Sequence, residues 1–73
     1  MDIEEIIKAR CRNKKTDTYE KALRTSYEKY KHLIDKTEIE NELEQARIRY
    51  DEGYSLYDEL ADIIILCQML NER

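Results

Sequence analysis

The sequence predicts an all-α fold, a small three- to four-helix bundle or set of helical hairpins that is oligomeric through its C-terminal helix. Three observations predict it. Proline is absent and Gly53 is the only glycine, which removes the material of hairpin turns and Gly-rich phosphate loops and leaves mostly helix formers. Charged residues make up 41% of the chain, and the apolar residues between them recur at three- and four-residue steps. Lastly, Tyr54 to Leu70 reads YSLYDELADIIILCQML, and its uninterrupted apolar run, Ile63 to Cys67, passes right round a helix at about 100° per residue. Such a helix is buried on more than one side, yet 73 residues supply little protein to surround it. Part of its surface is therefore expected to meet another chain.

The first helix is expected from about Asp2 to Ala9, with Ile3, Ile6 and Ile7 on one face and acids in the first turn. Cys11 to Lys15 reads as a polar connector. Asp17 and Glu20 have the spacing of a capping box and open a second helix to about Ile34, with Tyr19, Leu23, Tyr27, Tyr30 and Ile34 as its apolar face. On one continuous helix, Leu23, Tyr27, Tyr30 and Ile34 would fall within about 60° of one another, whereas Ile39, Leu43, Ala46 and Tyr50 would fall nearly opposite. Thr37 and Glu40 form another capping box where the phase changes. A turn near Asp35 and Lys36 followed by a third helix from Glu38 to Glu52 is thus favoured over a single helix from about Thr18 to Glu52. Gly53, in the left-handed conformation, is expected to close that helix, with Tyr54 placed for the accompanying hydrophobic contact. Ser55 then serves as N-cap of a final helix to about Asn71. The four segments form one domain over residues 1–73.

The net charge of −4 is unevenly spread. Residues 1–15 carry +2, from Lys8, Arg10, Arg12, Lys14 and Lys15 against Asp2, Glu4 and Glu5, which leaves −6 for the rest. An acidic body argues against general affinity for nucleic acid and fits a basic surface on a protein partner. The basic cluster has no interleaved aromatic residue, and cations after a helix C-terminus are stabilising without any ligand. Cys11 and Cys67 belong to no CxxC pair, so neither a disulfide framework nor a zinc site is indicated, and a reducing cytoplasm fits best. Cys11, in a basic loop, is expected to have a lowered pKa. Cys67 reads as a small core hydrophobe and His32, the only histidine, as an exposed or rim residue. The N-terminal MDIEEIIKAR places acids where a signal peptide needs apolar residues, and the C-terminal apolar run is too short to span a bilayer.

These readings lead to a non-enzymatic, acidic interaction protein, of the class of small regulators and phage-type inhibitors, with no cofactor and no catalytic residue. Tyr54, Tyr57, Leu60, Ile63, Ile64, Ile65, Leu66 and Met69 are its expected partner or oligomer interface, because tyrosine sets an apolar ring against a partner while its hydroxyl stays wet. Tyr27 and Tyr30 read as rim residues of the core. An alternative rests on four acids. Glu38 and Glu42 are four apart, Glu59 and Asp62 three apart, and antiparallel packing of their helices could converge all four on magnesium. Glu59-Leu60-Ala61-Asp62 matches an ExxD motif, and Glu38-Ile39-Glu40-Asn41-Glu42 stands where an EExxE stretch would be, with Ile39 in place of one acid. Over about half of the chain these motifs resemble the MazG-like all-α nucleoside triphosphate pyrophosphatases. The resemblance implies a minimal magnesium-dependent pyrophosphohydrolase whose metal, held by those four acids, activates water. The bland reading of the same acids is a solvated edge that favours a helix N-terminus.

Overall fold

A computed structural model describes residues 3–12, 17–54 and 56–72, with the side chain of Ile3 outside the description. The chain is all-helical and compact: α1 (Ile3–Cys11), α2 (Asp17–Tyr30), α3 (Lys36–Asp51) and α4 (Leu56–Asn71). Helix α4 packs against both α2 and α3, whereas α1 packs on α2. Tyr19 meets Tyr57 and Ser26 meets Asp62, so α2 and α4 run in the same direction. Glu4 pairs with Arg24, which sets α1 antiparallel to α2. The resulting slab measures 33 × 31 × 16 Å, and its short dimension is about that of two packed helices.

The core lies where α2, α3 and α4 meet. Leu23, Ile39, Ile65 and Leu66 are fully buried, with Ile7 reaching in from α1. Each such side chain contributes roughly 2 kcal/mol relative to exposure. On α4 the buried residues Ala61, Asp62, Ile65, Leu66 and Met69 occupy one side. Leu60, Ile63, Ile64 and Cys67, at i, i+3, i+4 and i+7, share the opposite side and are half-buried. The chain's own helices thus cover one side of α4 fully and the other only in part.

The break between α2 and α3 falls where the apolar phase changes, although no glycine or proline enforces it. Helix α2 ends at Tyr30, with Leu33 N–H closing a tight turn onto the Tyr30 carbonyl at 3.0 Å. Asp35 then adopts an extended conformation (φ −94°, ψ 129°), and its carboxylate accepts from the Thr37 amide at 2.8 Å. Asp35 is therefore the N-cap, two residues before the expected Thr37, because its short acceptor reaches the second helical amide and draws Lys36 and Thr37 into the helix. The early end of α2 also releases Ile34 from the apolar face it was expected to share; Ile34 is 78% exposed. Asp17 lies within α2 rather than preceding it.

The closure of α3 at Gly53 agrees with expectation. Gly53 has φ +85°, its N–H donates to the Tyr50 carbonyl at 3.0 Å, and the Tyr54 N–H donates to the Arg49 carbonyl at 3.1 Å. Those two bonds define a Schellman motif with Gly53 in the left-handed position. Tyr54 remains 61% exposed, so its ring contributes little to the closure. The Ser55 cap, the Asp2 helix start and the cations Lys14 and Lys15 lie outside the described residues.

Candidate functional site

Two features stand out from the packing, a buried polar junction and an exposed apolar turn. The junction is built around Asp62, which lies in phase with Ala61, Ile65, Leu66 and Met69 on the buried side of α4 and is 6% exposed. A lone carboxylate there would carry a penalty of several kcal/mol. Its neighbours remove that penalty. Ser26 Oγ, itself buried, donates to Asp62 Oδ1, and Tyr30 Oη donates to Oδ2 at 3.2 Å. Lys29 Nζ lies 3.7 Å and Arg49 Nη2 3.5 Å from the same oxygen. Arg49 also donates from Nε to Glu59 Oε2 at 2.7 Å, so a single guanidinium from α3 ties together both acids of the ExxD pair.

The electrostatics follow from this geometry. The Arg49 guanidinium is held even more firmly protonated by its hydrogen bond to Glu59, with burial opposing it. Lys29 is raised above the usual lysine range, first by its interaction with Tyr30 and then, against burial, by Asp62. Its ammonium lies 5.0 Å from the Tyr30 ring centroid, within the range of cation–π attraction. Burial raises the Tyr30 hydroxyl, with the Lys29 interaction opposing it. A groove of about 440 Å³ opens beside the junction, with Thr18, Lys21, Thr25, Lys29, Asp58 and Glu59 among its lining residues.

Glu38 and Glu42 take no part in these hydrogen bonds and ion pairs. Glu38 is exposed in the first turn of α3, and Glu42 lines a second groove of about 200 Å³ with Lys29, Tyr30, His32 and Leu33. Among the described residues no group of three or more His, Cys, Asp or Glu side chains is placed to hold a metal ion. The expected convergence of Glu38, Glu42, Glu59 and Asp62 is therefore not found. Arg49 instead bridges Glu59 and Asp62.

The apolar turn joins α3 to α4. Tyr50, Tyr54, Leu56 and Tyr57 are 44%, 61%, 71% and 36% exposed, all within eight residues of chain. The Tyr57 ring is braced edge-on against Tyr19, with centroids 6.1 Å apart and planes at 77°. No known family model, curated protein or solved structure matches this chain. The reading of either feature therefore rests on the residues themselves.

Of the eight expected interface residues, Tyr54 and Tyr57 are exposed, and Leu60, Ile63 and Ile64 are half-buried. Ile65 and Leu66 are 0% exposed and Met69 8%. Those three belong to the intramolecular core, because α2 and α3 close over the side of α4 that carries them. Tyr50 and Leu56 extend the exposed surface beyond the expected set. Ser26 and Arg49 were also not anticipated at the junction. Ser26 interrupts the buried side of α2 one turn before Tyr30, the only signal that could have marked it.

Cys11 departs from its expectation. Its thiol is raised rather than lowered, first by burial and then by the Glu20 charge, with Arg24 opposing. Cys11 and Cys67 are both unpaired and half-buried. Lys8, Arg10 and Arg12 are exposed, as is His32. Among the described residues no helix is long and apolar enough to cross a membrane.

Proposed function

We propose that the chain is a non-catalytic protein-interaction module, a small regulator or inhibitor of the phage type, that self-associates or docks on a protein partner through the α3–α4 turn and the outward side of α4. The observation that carries this reading is the exposure of Tyr50, Tyr54, Leu56 and Tyr57 together on one turn. Scattered surface hydrophobes need no explanation, but a local set of large ones marks a contact surface. Tyrosine suits such a surface because its two-torsion ring loses little freedom on binding. The half-buried stripe Leu60, Ile63 and Ile64 continues along the same helix.

Two further features fit. Asp62 accepts from two hydroxyls and faces two cations, an arrangement that holds three helices in register. The unpaired cysteines suit a reducing compartment such as the cytoplasm.

Absolute mass by light scattering over a hundredfold concentration range, on the wild-type chain and on Leu56→Glu, separates the modes of association. Leu56 is 71% exposed, so the substitution should leave the helical circular dichroism intact. A dimer or tetramer reduced to monomer by Leu56→Glu supports self-association through the turn, and a persistent monomer assigns the surface to a different protein. Assembly that survives both Leu56→Glu and Tyr54→Glu would reject this turn as the contact surface.

A further inference from the structure

The exposed turn also carries information about what covers it. The segment from Tyr50 to Tyr57 holds two acids, Asp51 and Glu52, and no base, and both acids are exposed. Its four exposed apolar residues present on the order of 400 Å², about half of the roughly 800 Å² that each side of a stable interface buries. A partner seated there must therefore cover the charged surroundings as well. In a two-fold contact between copies the same patch faces itself, and the acids of one copy would be set against those of the other. Like charges brought together in this way are strongly disfavoured.

Resting on the docking reading above, we infer that the occupant is a protein segment of opposite character, an apolar or aromatic anchor flanked by lysines and arginines, rather than a second copy of this chain. Its apolar side chains pack on Tyr54, Leu56 and Tyr57, and its cations lie against Asp51 and Glu52. The excess negative charge of the body, −6 outside residues 1–15, adds long-range attraction that speeds encounter. Because the charges are exposed, the attraction is screened by salt.

The test uses two synthetic amphipathic helical peptides with one common apolar face, the polar face being lysine and arginine in one and glutamate in the other. Each is titrated into the full-length chain by fluorescence anisotropy at about 50 and 300 mM salt. The basic peptide should bind about tenfold or more tightly than the acidic one, and raising the salt should weaken it about tenfold. Leu56→Glu should abolish binding, while Asp51→Asn combined with Glu52→Gln should narrow the difference between the peptides without loss of helicity. Equal binding of the two peptides, or binding of neither, overturns the charge assignment. If at the same time light scattering shows a dimer lost in Leu56→Glu, the docking reading stands with a second copy as occupant. If Leu56→Glu changes neither mass nor peptide binding, the docking reading itself fails.

Discussion

At the residue scale the fold turns on Asp62. Small domains have only about 3–5 kcal/mol of net stability from one core, so a buried carboxylate is either satisfied or decisive. Removing it with Asp62→Ala leaves the Ser26 and Tyr30 hydroxyls and the Arg49 guanidinium with one acceptor fewer, and it should cost about 3 kcal/mol. Asp62→Asn keeps the shape and part of the hydrogen bonding and should cost less. Ser26→Ala and Tyr30→Phe should each cost about 1 kcal/mol. Urea unfolding followed by circular dichroism gives all four values, and a loss below about 0.5 kcal/mol for Asp62→Ala, typical of surface positions, would mean that the junction does not hold the helices together. The sequence singles out Asp62 for its charge, as a metal ligand or part of a solvated edge, whereas the side chain is buried on the core side of α4. Its partners were not legible, because Ser26 and Tyr30 are 36 and 32 residues away along the chain. No periodicity within one helix reports a hydrogen bond to another.

At the scale of elements, local chemistry decided the boundaries and was mostly readable. Gly53 signalled the end of α3 because only glycine adopts φ +85° without strain. The phase change between Tyr30 and Ile39 signalled the α2–α3 break, since one helix cannot present both stripes to one core. The cap was expected at Thr37, from its capping-box spacing to Glu40, with Asp35 in the turn before it. Asp35 forms it, and Asp35→Ala should cost about 1 kcal/mol. At Gly53 nothing lies within 4 Å of an added Cβ, so any loss comes from the backbone conformation alone. Gly53→Asn should then be milder than Gly53→Ala, at about 1 kcal/mol, and Gly53→Val should be worst, because β-branched residues resist positive φ. Thermal unfolding of the series ranks them, and equal melting temperatures for Gly, Ala and Val would contradict the left-handed closure.

At the scale of the whole molecule the arrangement is uneven, and the sequence indicated why. The apolar run on α4 was expected to be enclosed on more than one side, and α4 does become the element that both α2 and α3 pack against. Less visible was how that burial would be shared, because the side of α4 that contacts its own chain depends on three-dimensional registration and not on composition. Helix α1 has a weaker attachment. It packs on α2, burying Ile6 and Ile7, and the Glu4–Arg24 ion pair at 2.6 Å joins half-exposed side chains, where solvent screens the attraction. Opening α1 exposes far less apolar surface than opening α4, so the two should exchange amide hydrogens by different routes. Amides of α4 around Ile65 and Leu66 should exchange only through global unfolding, with a denaturant dependence equal to that of equilibrium unfolding. Amides of α1 should exchange at least about tenfold faster and with little denaturant dependence, as local opening requires. Residue-resolved hydrogen exchange across a urea series distinguishes the cases. Equal protection in α1 and α4 would mean that all four helices unfold as one unit.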